Sequence, residues 1–318
     1  MQNKRLEMKK TKGSIMLLFA AFFWGTTFVA QTTASDQIGT FTFNGSRSIV
    51  GAAFLALLIL ARTGMKKQKA KVSGEPVEKE SIKRTVIGGI LCGCVLFFAT
   101  NLQQSGIAAY PEGVASSGRS GFLTATYVVM VAIVSGLLGK KLHKIVYVAV
   151  FVCLGGMYML CMSGGIDNLY FGDLLGLLCA VCFTGHILAV DHFNDCDSVK
   201  ISCIQFITNG VLSLICMAIF EQPAWSDLAA AWFPILYAGI FSSGIAYTLQ
   251  IAGQKYADPA VASIVMSLES VFAALFGWLI GGQTLSGREL LGCAIMFAAI
   301  VLSQLPRPKL AKKSINQA

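Results

Sequence analysis

Charge is what this chain has least of. Asp, Glu, Lys and Arg make up 13% of its 318 residues, against about 25% in soluble domains. Seven stretches contain none of the four: 13–35, 85–111, 145–166, 174–190, 201–220, 228–254 and 290–306. With a mean hydropathy of +0.67, these runs exceed what a soluble core needs, since a spanning helix takes about 20 apolar residues. A soluble globular fold is therefore excluded. A P-loop and a glycine-rich nucleotide fingerprint are also missing, which argues against direct ATP drive and implies no cofactor. Nor do the Cys, His and acidic residues show a spacing that would hold a metal ion.

Three further spans follow if one interior charge is allowed: 40–61 around Arg47, 113–139 around Arg119 and 259–281 around Glu269. The expectation is an all-α polytopic membrane protein with ten transmembrane helices. The first stretch follows Lys9, Lys10 and Lys12 and ends near small residues, as a secretory signal does, but it is longer than a signal core and a later segment mirrors it. It is read as a retained helix.

Placing both termini in the cytoplasm puts 22 of the 25 Lys and Arg residues on the inner side and Arg288 alone outside, with Arg47 and Arg119 inside the membrane. That bias fits the positive-inside rule. The net charge of +9 then reports topology and attraction to anionic lipid heads, and gives no reason to invoke nucleic acid. The expected organisation is a cytoplasmic N-terminus (1–12), two helical units (13–166 and 172–306) and a cytoplasmic tail (307–318), in a cell-membrane protein. A linker at 63–84 interrupts the first unit. Its stretch 66–80 mixes both charges with Gly and Pro and reads as flexible. Nine of the ten cysteines fall inside the spans as small packing residues, and Cys196 is in a loop.

The two units are copies. Leu18, Ala20, Phe23 and Gly25 recur as Leu178, Ala180, Phe183 and Gly185 at an offset of 160, and Leu102, Gln103 and Gly106 recur as Leu249, Gln250 and Gly253 at 147. Five helices per copy is an odd number, so the copies enter the membrane from opposite sides as an inverted repeat. This architecture is common among carriers that rock one half against the other.

The Trp24-Gly25-Thr26-Thr27-Phe28 run, Gly121-Phe122-Leu123-Thr124-Ala125, and the segment from Leu268-Glu269-Ser270 to Gly277-Trp278 resemble the EamA branch of the drug/metabolite transporter superfamily. The resemblance spans about 13–304 and implies a ten-helix exporter or exchanger of small metabolites, amino acids among them. The chain departs from the family pattern at Ser270, where Pro usually follows the Glu, and at Lys140 and Gln283, where Glu is usual.

An ionisable side chain at the bilayer centre costs about 2.5–3.5 kcal/mol on insertion scales, so it faces a partner, a cavity or a substrate. Arg47, Arg119 and Glu269 are thus the leading site residues. Two readings of them stand. In one, Arg119 and Glu269 form an internal salt bridge and bind nothing. In the other, the arginine excess holds a substrate carboxylate while Glu269 holds an amine or exchanges a proton. Trp24, Asn44, Asn101, Gln104, Tyr127, Asn209, Tyr247 and Gln250 could line the same cavity or bond other helices. His186 could move protons or bond across helices.

The partners expected are a small-molecule substrate, the lipid bilayer, and protons or a counter-substrate, with the chain a monomer or homodimer. Two alternatives to a metabolite exporter stand beside it: an organic-cation or multidrug exporter, and an intramembrane enzyme acting on lipid head groups. The enzyme reading rests on the cluster Asp191, His192, Asp195 and Asp197, which also reads as a solvated loop.

Overall fold

The computed structural model describes residues 2–73, 82–111, 116–140, 142–161, 170–281 and 286–304. In chain order the helices are α1 (Gln2–Ser35), α2 (Thr40–Ser73), α3 (Ile82–Ala108), α4 (Ser116–Ala125), α5 (Tyr127–Leu137), α6 (Lys144–Cys161), α7 (Phe171–His192), α8 (Ser198–Phe220), α9 (Trp225–Ala230), α10 (Trp232–Tyr237), a π-helical segment (Ala238–Ala246), α11 (Tyr247–Gln254), α12 (Pro259–Met266), α13 (Glu269–Gly281) and α14 (Gly287–Gln304). Among the described residues, eight helical stretches are long and apolar enough to cross a membrane, and α6 and α14 contribute two shorter apolar helices. These two have 18 residues each and rise about 27 Å, close to a hydrocarbon thickness of about 30 Å. Leu57, Leu60, Phe98, Phe151 and Leu279 are each more than half exposed, an apolar surface suited to lipid and not to water. The chain is an all-α polytopic membrane protein.

Packing pairs the two parts of the chain. Helix α2 runs along α8, and α6 along α14. Contacts also correspond under exchange of the parts: α3 against α7 has its counterpart in α11 against α1, α3 against α8 in the π segment against α2, and α7 against α4 in α1 against α13. Glycine lets several of these backbones approach. A Cβ on Gly25 would meet Phe272 Cβ at 2.3 Å and the Glu269 carbonyl at 2.8 Å, and one on Gly93 would meet the Gln205 carbonyl at 2.7 Å. The Trp-Gly run of α1 is thereby set against the first turn of α13. Gly25→Ala is expected to cost about 1–3 kcal/mol through overpacking, read as a lower Tm of the purified protein. Gly155→Ala, where nothing lies within 4 Å, should leave Tm unchanged or raised.

The helices differ from the expected spans in three ways. First, α1 and α2 continue beyond the membrane stretches, α1 starting at Gln2 and α2 running to Ser73. Lys, Gln, Met and Ala are good helix formers, so the helix propagates through much of what read as a flexible linker. Residues 74–81 lie outside the described part.

Second, the spans 113–139 and 259–281 are each broken, at Thr126 and at Ser267–Leu268. The Thr126 amide turns to the Leu123 carbonyl at 3.2 Å and that of Leu268 to Val265 at 3.3 Å, both tighter than an α-turn. The hydroxyls of Thr126 and Ser267 donate to the carbonyls of Leu123 and Ile264, so polar groups freed by the breaks keep partners inside the membrane.

Third, 228–254 contains the π segment, with α2 pressed against it. A Cβ on Gly239 would sit 2.9 Å from the Arg47 carbonyl, and one on Gly51 would sit 2.6 Å from Ser243 Cβ.

Candidate functional site

The two helix breaks face each other. Tyr127 opens α5 and Glu269 opens α13, and Tyr127 Oη donates to Glu269 Oε1 at 3.4 Å. Both line a cavity with about 470 Å³ of non-atom space, open solvent included. Its wall takes Trp24, Phe28 and Gln31 from α1, Arg47 from α2, Gln103 from α3, Phe183 and Ile187 from α7, Ser242 from the π segment, Tyr247 and Gln250 from α11, and Met266 from α12. Trp24 and Tyr247 meet edge to face at 4.8 Å. Among the described residues the wall thus combines five aromatic rings with polar side chains, one cation and one carboxylate.

Among the described residues the electrostatics of this wall are incomplete. Arg47 and Glu269 are 3% and 6% exposed, yet among the described residues no ion pair joins them. The guanidinium of Arg47 lies over the Phe43 ring at 5.3 Å. Its Nε has no hydrogen-bond partner among the described residues, nor do Trp24 Nε1 and Gln250 Oε1. Leaving a buried donor or acceptor unmet costs about 1–3 kcal/mol. One carboxylate, with neither thiol nor imidazole on the described wall, is a poor donor set for a transition metal.

Of the residues singled out in the sequence, Trp24, Arg47, Tyr127, Tyr247, Gln250 and Glu269 line the cavity. The side chain of Arg119, which belongs to α4, lies outside the described residues. Asn44 and Asn209 join an interhelical network instead. Asn44 Nδ2 donates to the Thr100 carbonyl at 3.1 Å and to Asn101 Oδ1 at 3.0 Å, Asn101 Nδ2 donates to Ser213 Oγ at 3.1 Å, and Asn209 Nδ2 donates to Thr100 Oγ1 at 3.4 Å. Gln104 supports the wall indirectly, donating to the Gln31 carbonyl at 3.0 Å and accepting from Gln31 Nε2 at 3.2 Å. His186 bonds Gln205 of α8 at 3.1 Å, its ring edge-on to Tyr247. Gln31, Gln103 and Ser242 are polar wall residues the sequence reading left out. Gln103 was within reach, being the repeat mate of Gln250.

The acidic corner between α7 and α8 is not a merely solvated loop. Asp191 pairs with Lys140, Asp195 accepts from Arg84 Nε at 2.8 Å, and Asp197 is 4.0 Å from Arg62 while capping the amides of Val199 and Lys200. The Arg84 hydrogen bond holds the Asp195 carboxyl below its ordinary pKa. All three carboxylates are committed to cations from the first part of the chain.

A multi-pass helical bundle with a cavity that sets an arginine and a carboxylate among aromatic rings has the form of a solute carrier. The chain belongs to the EamA-like transporter family, which it matches over residues 11–162 and again over 170–305. It is accordingly a transporter and not an enzyme, a multi-pass plasma-membrane protein that carries small molecules by secondary transport. It is 24% identical to an uncharacterised transporter of Archaeoglobus fulgidus, over 94% of this chain and 87% of that one. To the uncharacterised transporter YoaV of Bacillus subtilis it is also 24% identical, over 90% and 94%. A Chlamydia muridarum protein named S-adenosylmethionine/S-adenosylhomocysteine transporter is 26% identical over 89% and 91%. A crystal structure at 19% identity superposes with a TM-score of 0.74, covering 92% of this chain and 98% of the other, a likeness of fold.

Proposed function

We propose that this transporter exports or exchanges small polar metabolites, amino acids being the leading class, by alternating access. In this reading, ten helices form two inverted five-helix repeats, both termini and the 63–84 linker are cytoplasmic, and the unit is a monomer or homodimer. The observation that carries the substrate class is the wall itself. A buried arginine and a buried carboxylate share one cavity without pairing, and Trp24 Nε1 and Gln250 Oε1 lack partners among the described residues. A zwitterion supplies what each lacks among the described residues: a carboxylate for Arg47 and Trp24, and an ammonium for Glu269 and Gln250. The aromatic walls suit an apolar or aromatic remainder.

A second reading, an organic-cation exporter, is favoured by those same aromatic faces, since a desolvated cation over Trp or Tyr gains about 2 kcal/mol. Counterflow in proteoliposomes separates the two. Free amino acids are expected to drive exchange, with amines that lack a carboxylate at least about tenfold weaker, a gap of about 1.4 kcal/mol. S-adenosylmethionine, an amino acid that carries a sulfonium, belongs on the panel because of the chlamydial relative. Exchange of carboxylate-free cations alone would overturn the amino-acid reading.

A further inference from the structure

Beneath the cavity the chain builds a plug. Val190, one turn beyond the wall residue Ile187, and Ile251, next to the wall residue Gln250, meet Cys92, Phe193 and Cys196 in a buried apolar cluster. Phe193 is wedged against α3, where a Cβ on Gly88 would lie 2.8 Å from its ring. On the far side of this cluster the polar bonds begin. Arg84 of α3 anchors the corner, with Nε on Asp195, Nη2 on the His192 carbonyl at 3.0 Å and its guanidinium 5.2 Å from the Phe193 ring. Two lysines then bring in the ends of wall-forming helices. Lys140, three residues past α5, pairs with Asp191. Lys255, just past α11, donates to the Cys196 carbonyl. The preceding Gln254 donates to the Ile187 carbonyl at 3.0 Å.

Helix α3 packs along both α7 and α8, and α5 and α11 each meet α7, α11 also touching α8. The lysine bonds tie the ends of α5 and α11 to the α7–α8 corner at the basic end of the bundle. That tie is where separation of the helix ends would open a path from the cavity. We propose that the α7–α8 corner, with Lys140 and Lys255 clasped onto it over the Val190–Phe193–Cys196–Ile251 plug, is the cytoplasmic gate of the transporter. The gate rests on the alternating-access reading and on the cytoplasmic assignment of this end.

Cys196 is a native reporter, 3% exposed and part of the plug. Inside-out vesicles and intact cells are each treated with a membrane-impermeant maleimide, and the modified peptide is identified by mass spectrometry. In the unmodified protein Cys196 should react slowly, and only in inside-out vesicles. Lys140→Gln and Asp191→Asn should each raise its rate about fivefold, the order expected for losing a part-buried pair. The swap of Lys140→Asp with Asp191→Lys should return the rate toward that of the parent. If these variants fail to insert, salt serves on the parent protein. Raising ionic strength from about 0.1 to 1 M shortens the screening length from about 10 to 3 Å, and should speed labelling. A parent rate equal to that of an exposed thiol, or rates indifferent to both variants and salt, would overturn the gate. Labelling only in intact cells would instead overturn the topological assignment on which it rests.

Discussion

Glu269→Gln is expected to abolish substrate accumulation driven by a pH gradient while leaving substrate-for-substrate exchange partly intact. The argument starts from position. Glu269 is the first residue of α13, directly after the Ser267–Leu268 break, 6% exposed and facing the cavity. At a helix N-terminus the free amides and the dipole favour the ionised form, whereas burial favours the neutral one, and an arriving ammonium shifts that balance again. A carboxyl held between such opposing terms can release a proton when substrate binds and regain it when substrate leaves. Glutamine keeps the size and the oxygen that accepts from Tyr127, but cannot ionise. Gradient-driven uptake into proteoliposomes should fall at least about tenfold, the equivalent of about 1.4 kcal/mol, with exchange retained. Accumulation unchanged under a pH gradient would remove Glu269 as the proton carrier and leave it a ligand alone.

Much of this site could be reached from residue types, and the part that could not has a physical reason. Arg47 and Glu269 stand out because an ionised group at lipid depth has few stable settings, and both line the cavity. Asn44 and Asn209 stand out for the same kind of reason, but a neutral amide is as well served by another helix as by a cavity, and theirs are taken up by Thr100 and Asn101. Polarity alone does not separate those two outcomes. The helix breaks were hidden because Thr126, Ser267 and Leu268 are all tolerated inside helices, and the tighter amide turns that mark the breaks leave no signature in residue type. The π segment was hidden in a charge-free run, although Gly239 and Gly244 hinted at close backbone approach. Lys140 read as a departure from the family pattern, and its meaning depends on Asp191, 51 positions away.

Arg47→Lys is expected to weaken carboxylate substrates specifically. Lysine keeps the charge but loses the planar fork that can hold a carboxylate through two parallel hydrogen bonds, so affinity for free acids should fall by about 1–3 kcal/mol while their amides change little. The guanidinium is well placed for such a role, lying over Phe43, with Nε unmet among the described residues and no ion pair to Glu269 there. A purely structural Arg47 would respond differently, with loss of stability or of all binding together and an unaltered ratio of acid to amide. Arg119→Lys is the matching variant for the other membrane arginine. If Arg119 only neutralises Glu269, lysine still pairs with it and the ratio should stay at the parent value, whereas a carboxylate ligand would show the same selective loss. The measurement is competition of an amino acid and its amide against one labelled substrate in folded, inserted protein. If neither arginine shifts the ratio, carboxylate recognition is not the arginines' task, and Glu269 with a cationic substrate becomes the stronger reading of the cavity.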